Sequence, residues 1–266
     1  MKKALTIAGS DSGGGAGIQA DLKTFAAHGV WGTSAVTAIT AQNTVEGRAA
    51  LPLPCDIITA QIEAVASDIG VDAVKTGMLA TAAIVCEVAA ALARLALVNV
   101  VVDPVMVSKS GAALLARDAV DAVRRQLLPL AAVVTPNTEE AEVLTGLTIR
   151  TVDDSRLAAR RIHEMGAAAV IVKGGHLATA EVVDVLFDGQ RLLEFRHVRV
   201  PGANTHGTGC TFAAAIAANL ALGRTIEQAV PLAQAYVEGA IRFGSAAGRG
   251  VGVLNHFWNG AAPLGR

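Results

Sequence analysis

Asn204-Thr205-His206-Gly207-Thr208-Gly209-Cys210 runs directly into an Ala-rich stretch, Thr211 to Leu222. Two glycines two positions apart free the backbone to curl its N–H groups toward one point, and the helix that follows adds the positive end of its dipole. Phosphate is the natural guest of such an anion cradle. Cys210 then falls in the first helical turn, where a thiolate is favoured and the free-cysteine pKa of about 8.5 moves toward neutrality, which makes it a candidate general base. The plainer alternative is a tight turn followed by a small buried hydrophobe in an Ala-rich helix.

Outward from this stretch, short Val- and Ile-rich runs alternate with longer Ala/Leu segments at helical spacing, the pattern of a parallel sheet flanked by helices. Strands are predicted at Ala4–Ala8, Ser34–Thr40, Ala73–Thr76, Asn99–Val102, Ala131–Thr135 and Ala168–Lys173. Helices are predicted at Ile18–His28, Ile57–Asp68, Ala82–Leu95, Ala119–Leu128, Glu139–Leu144, Ser155–Met165, Thr211–Leu222 and Ile226–Phe243. Near the C-terminal third the alternation stops. Glu181–Phe187 and Arg191–Val200, joined by Asp188-Gly189-Gln190, read as an antiparallel hairpin. The expectation is an α/β fold with a central, mostly parallel sheet, and one domain over residues 1–266, since no linker-like composition divides the chain.

The composition is 52% hydrophobic and 17% charged, with a net charge of −1 and 3% aromatic residues. A chain with no basic surplus and few rings for stacking is not expected to bind nucleic acid. Apolar stretches are broken by Glu87 and Arg94, or by Asn219 and Arg224, before the roughly 18 residues a membrane span needs. Cys55, Cys86 and Cys210 form neither a disulfide framework nor a zinc-ligand pattern, so a reducing, cytoplasmic setting is expected.

Ligands of an open parallel sheet sit beyond the carboxyl ends of its strands, and the polar clusters here all follow a predicted strand. Gly9 to Gly17 follows the first, Gln42-Asn43 the second, Gly77-Met78 the third, Asp103-Pro104 the fourth, Pro136-Asn137 the fifth and Gly174-Gly175 the sixth. The first loop invites a dinucleotide reading. No strand-end acid follows about 20 residues later to meet a ribose, and Asp11 stands where phosphate would lie, which favours the floor of a small-molecule pocket. Asp21, one turn into the next helix, is either a solvated carboxylate or an acceptor for a ligand amine or hydroxyl.

Asp103, at the end of Val100-Val101-Val102, needs a partner or a metal. With Asn137 and Glu140, spaced for one helix face, it suggests a magnesium site whose other ligands are water and phosphate; Asn137 also reads simply as a helix N-cap. Lys173 ends Val170-Ile171-Val172 where it can steady a phosphate. His206 reads as a structural or phosphate-donating residue rather than the base.

Taken together, Gly9-Ser10-Asp11 to Asp21-Leu22-Lys23, Ala41-Gln42-Asn43-Thr44, Lys75-Thr76-Gly77-Met78-Leu79, Asp103-Pro104-Val105-Met106, Thr135-Pro136-Asn137 with Glu140-Ala141-Glu142, Lys173-Gly174-Gly175-His176, the Asn204–Cys210 stretch and Leu254-Asn255-His256-Phe257 resemble the hydroxymethylpyrimidine/phosphomethylpyrimidine kinases over nearly the whole chain. The resemblance implies a ribokinase-like fold, ATP as co-substrate, Mg²⁺ and a homodimer. It also implies stepwise phosphorylation of 4-amino-5-hydroxymethyl-2-methylpyrimidine and its monophosphate in thiamine biosynthesis. Carried over by position, Gln42 would read the pyrimidine edge, Met78 and Val105 would line the ring, and Gly9 and Asp21 would lie nearby. Gly207, Thr208, Gly209 and Cys210 would form the anion hole, with Lys173, Asn137 and Thr208 on the phosphates and Asp103 and Glu140 on the metal through water. Val107 to Gly111, with Lys109, resembles a flap over the nucleotide. Ribokinase-like sugar kinases usually carry Asp where this chain has Cys210, whereas pyrimidine kinases and some pyridoxal kinases are similar to it in having Cys. Pyridoxal or pyridoxine kinase is therefore the nearest alternative. A nicotinamide-dependent oxidoreductase and a catalytically silent ligand-binding regulator are the alternatives from other classes.

Overall fold

The computed structural model describes residues 1–106, 114–116, 118–177, 181–201 and 204–260. Nine strands form one sheet in the order β3-β2-β1-β4-β5-β6-β7-β8-β9. β1 (Lys3–Asp11), β2 (Trp31–Gln42), β4 (Ala73–Thr76), β5 (Val100–Val102), β6 (Val133–Val134) and β7 (Val170–Val172) run parallel. β3 (Gly47–Pro52) lies antiparallel on β2 at one edge, and the hairpin β8 (Glu181–Phe187) and β9 (Leu192–Val198) closes the other.

Strand residues alternate between two apolar layers. Leu5, Ile7, Val74, Val100, Val102, Val134, Val170 and Val172 face α2 (Cys55–Ala64), α3 (Ala82–Arg94), α5 (Thr138–Thr145) and α6 (Val152–His163). Ala4, Ala73, Val101, Val133 and Ile171 face α1 (Gly17–Ala27), α7 (Thr208–Ala221) and α8 (Ile226–Arg242). Every residue of α7 from Thr211 to Ala221 is buried. A helix covered on all sides must be made of small apolar residues if the sheet, α1 and α8 are all to approach it, which accounts for the alanines.

Two expectations are corrected. β3 is absent from the sequence reading. Gly-Arg-Ala-Ala-Leu-Pro has no β-branched residue and all six positions are exposed, so neither propensity nor alternation marks it. Five helices also begin earlier than expected: α1 and α5 by one residue, and by more α6 at Val152, where Thr151 and Asp154 form a capping box, α7 at Thr208, and α2 at Cys55 directly after Pro54. Among the described residues no helix is long and apolar enough to cross a membrane.

Candidate active site

β1 lies between β2 and β4, so chain connections leave it in opposite directions and a crevice opens at the carboxyl ends of the strands. A cavity of about 720 Å³ occupies it. At the β1/β2/β4 end its walls are Gly9, Gln42 and Met78, with Val105 after β5; toward β6 and β7 they are Asn137, Glu140, Lys173 and the Gly207–Cys210 turn. Gly9 is spaced against Met78: a Cβ there would stand 3.1 Å from the Met78 sulfur. Thr37 Oγ1 donates to the Met78 carbonyl at 2.6 Å, which fixes that wall of the slot.

The first glycine loop is closed by its own aspartate. Asp11 accepts N–H bonds from Gly13 (2.8 Å), Gly15 (3.1 Å) and Ala16 (2.9 Å), and His206 Nε2 lies 3.0 Å from its Oδ2. Burial works to raise the Asp11 carboxyl, but His206 and the N–H groups of Gly13 and Ala16 outweigh it and hold the group below its ordinary value. Donors that a dinucleotide phosphate would need are thus consumed by a carboxylate.

Gly207 caps α7 with φ of 85°, and a Cβ on it would lie 1.9 Å from the Gly15 carbonyl oxygen. The cradle and the first loop are therefore in direct backbone contact, and only glycine permits it. Gly209 is open by comparison: a Cβ there would stand 3.5 Å from Lys173 Nζ and 4.0 Å from Asp103 Oδ2. Thr208 Oγ1 donates to the Thr205 carbonyl at 3.2 Å, which ties the turn to its own entry.

Cys210 lines the cavity, but its environment differs from the expectation of a lowered pKa. Burial pushes the thiol up to about 11, and the nearby Lys75 ammonium offsets this only in part. Desolvation thus dominates at this helix start, and with the thiol pushed up to about 11 the resting group is a neutral thiol. Lys75, fully buried in β4, pairs with Asp21 at 2.9 Å, and Thr6 Oγ1 donates to the same carboxylate oxygen at 2.6 Å. Burial alone would discharge this lysine and does push the Asp21 carboxyl up; Asp21 first, with Asp103, holds Lys75 charged, above its ordinary value. Asp21 is therefore corrected. It has no solvent-exposed surface and is not part of the cavity wall, so it supports Lys75 beneath the floor instead of accepting a ligand hydrogen bond.

Asp103 and Lys173 meet at 3.4 Å, while Asp103 Oδ2 is buried without a hydrogen-bond partner. Asn137 and Glu140 form a reciprocal capping box: Glu140 N–H donates to Asn137 Oδ1 and Asn137 N–H donates to Glu140 Oε2, both at 2.8 Å. The simple N-cap reading of Asn137 is thus correct, and the cap leaves Glu140 Oε1 free of that bond. Burial pushes the Glu140 carboxyl up to about 7, with Lys173 pulling it down and Asp103 pushing it further up. Lys173 is held charged above its ordinary value by Asp103 and Glu140 against the effect of burial.

Of the predicted site residues, the crevice brings together Gly9, Gln42, Met78, Asp103, Val105, Asn137, Glu140, Lys173, Gly207, Thr208, Gly209 and Cys210. Lys109, with the rest of Val107–Gly111, lies outside the described residues. Sequence reasoning missed Lys75, whose signal is a lone lysine inside a four-residue apolar strand. It also missed Asp184, a cavity-lining carboxylate on β8 that accepts from Gly174 N–H at 2.8 Å and from Gln234 Nε2 at 2.7 Å. An acid in the middle of the apolar run Val182–Phe187 was its only trace.

A sheet whose strand ends hold a slot walled by Gly9, Gln42 and Met78 beside a glycine turn at a helix start with a buried lysine has the layout of a ribokinase-like small-molecule kinase. The known proteins narrow that class: residues 11–255 match the phosphomethylpyrimidine kinase family, and the chain belongs to it. It is 48% identical over 256 residues to the hydroxymethylpyrimidine/phosphomethylpyrimidine kinase of Bacillus subtilis, covering 96% of this chain and 94% of that one. It is 51% identical to the thiamine biosynthesis bifunctional protein ThiED of Geobacter sulfurreducens over 95% of this chain, and spans about half (51%) of that longer relative. Among solved structures, the pyridoxal kinase of Staphylococcus aureus in complex with AMP-PCP and pyridoxal superposes with a TM-score of 0.90 at 40% identity, over 98% of this chain and 95% of that one.

Proposed function

We propose that this chain, as a single cytoplasmic kinase domain, transfers the γ-phosphoryl group of ATP to the hydroxymethyl oxygen of 4-amino-5-hydroxymethyl-2-methylpyrimidine and then to the monophosphate so formed, in thiamine biosynthesis. The observation that carries this reading is the Gly207–Cys210 turn, which lines one cavity together with the slot of Gly9, Gln42 and Met78 and with Lys173. A flat ring held in the slot presents its hydroxymethyl arm to the cradle, and the phosphate oxygens meet N–H groups and an ammonium. The relatives' names and the AMP-PCP complex support the same donor and acceptor. The three unpaired cysteines support a reducing compartment. Homodimer formation is carried over from the family resemblance.

Asp103 Oδ2, buried without a partner, and Glu140 fit a hydrated divalent cation. Asp103 and Glu140 would hold Mg²⁺ through water, and the ion would supply positive charge to offset that of transfer. Asp103 and Lys173 keep each other oriented, and Lys173 neutralises phosphate charge. EDTA is expected to abolish transfer, and full activity without a divalent metal would overturn the assignment. Because Glu140 titrates near about 7 and a cation favours its ionised form, the Mg²⁺ concentration needed for half-maximal rate should fall from pH 6 to pH 8. A flat profile would remove Glu140 from the metal site.

Gln42 offers one donor and one acceptor to a ring nitrogen with a neighbouring amine. Gln42→Leu is expected to weaken pyrimidine binding by ~1–3 kcal/mol while ATP binding persists. An unchanged KM for the pyrimidine would count against it. Pyridoxal phosphorylation is the second reading, favoured by the pyridoxal kinase likeness. ATP consumption measured with hydroxymethylpyrimidine, its monophosphate and pyridoxal in parallel decides between them, and turnover confined to pyridoxal would reject the pyrimidine assignment.

A further inference from the structure

The geometry points to His206 as the positioning residue that fixes which end of the Gln42 amide faces the ring, and so makes it a determinant of ring selectivity. This rests on the proposed role of Gln42.

Both backbones are pinned independently of any ligand. Gln42 N–H donates to Ser12 Oγ at 2.7 Å and Ser12 Oγ donates back to the Gln42 carbonyl at 2.6 Å. His206 N–H reaches the Gly252 carbonyl at 3.4 Å, and its ring packs so closely on the first loop that a Cβ on Gly15 would lie 2.4 Å from Cδ2. Only the Gln42 side chain is left to choose an orientation.

His206 Nε2 stands 3.0 Å from Asp11 Oδ2, and an ionised carboxylate only accepts, so Nε2 carries a proton. The Gln42 amide sits 3.4 Å from the same Nε2. Two N–H groups cannot bond one another, whereas a half-turn of the amide places Oε1 beside Nε2–H as the longer second acceptor of a proton shared with Asp11 in a three-centre bond, and turns the NH₂ group toward the cavity. Asp11 thus sets the His206 tautomer, and His206 sets the amide. In this arrangement the NH₂ group donates to a ring nitrogen while the second lone pair of Oε1 accepts from an exocyclic amine. A ring without that amine leaves the lone pair unused.

A double-mutant cycle with calorimetric Kd values for the aminopyrimidine tests the coupling. His206→Asn removes the Nε2 position and should weaken binding about tenfold, whereas in a Gln42→Leu background the same change should cost less than about twofold. His206→Gln, which restores a donor near Nε2, should recover binding to within about threefold of the parent. Additive losses would overturn the inference, because a histidine that merely supports the loop would act whether or not Gln42 is present. If the parent protein binds pyridoxal and not the pyrimidine, the ring assignment fails, and the cycle run with pyridoxal still reads the His206–Gln42 coupling. Nitrogen NMR of the unmodified protein is the second measurement. A proton on Nε2 is required, and an Nδ1–H tautomer with bare Nε2 would also overturn the inference.

Discussion

Cys210→Ala is expected to slow phosphorylation of the alcohol by about 10²-fold or more, within the range of a lost general base, and to slow phosphorylation of the monophosphate far less. The hydroxymethyl group is a neutral nucleophile that must lose a proton during transfer, whereas a phosphate monoester is already largely dianionic above its second pKa of about 6. The structure adds a pH signature. With the thiol pushed up to about 11, the thiolate fraction increases about tenfold for each pH unit between 7 and 9, so kcat/KM for the alcohol should rise over that interval. The rise should vanish in Cys210→Ala and be absent for the monophosphate. Lys75 is the group that makes the thiolate accessible at all, being the main influence opposing burial. Equal losses for both substrates, with no change of pH profile, would show that the thiol shapes the cradle and takes no proton.

Gly207→Ala should be the most damaging of the cradle substitutions, impairing both phosphorylations alike and destabilising the fold by about 2–4 kcal/mol. Left-handed backbone in a residue with a side chain costs on the order of 1–3 kcal/mol, and the clash with the Gly15 carbonyl adds to it. Gly209→Ala meets only ordinary contacts in the free protein and should leave the melting temperature nearly unchanged. Its methyl group nevertheless projects toward Lys173 and Asp103, where the proposed phosphate site lies, so both rate constants should fall. Thermal melts alongside kcat/KM for each substrate separate the two cases. A Gly207→Ala protein as stable as the parent would show that the two loops can part without cost.

The sheet was legible because its chemistry is local. Val100–Val102 and Val170–Val172 are apolar on both faces and stop at a polar residue; β5 ends at Val102 as expected, and β7 at Val172, one residue before the expected Lys173. The crevice was legible for the same reason: once the parallel strands are placed, Gly9, Gln42, Met78, Asp103, Asn137 and Lys173 must share one rim. Burial and long-range electrostatics were not legible. Nothing around Cys210 in the chain announces that desolvation will dominate its thiol, or that Lys75 from another strand will face it. Asp21 looked like a helix-face carboxylate because its partners, Thr6 and Lys75, come from β1 and β4. His206 looked partnerless because Asp11 is 195 positions away along the chain.

The burial of α7 on every side has a consequence for motion. Enclosed by the sheet and by α1 and α8, the Thr211–Ala221 segment is expected to hold amides of the slowest-exchanging class, which open only with the molecule as a whole. The turn proposed to hold the transferred phosphate, Gly207–Cys210, lines the cavity and is continuous with that segment. Motion in surface loops is therefore expected to leave the base of the anion site in place, while the N–H groups of its first turn stay open to the cavity.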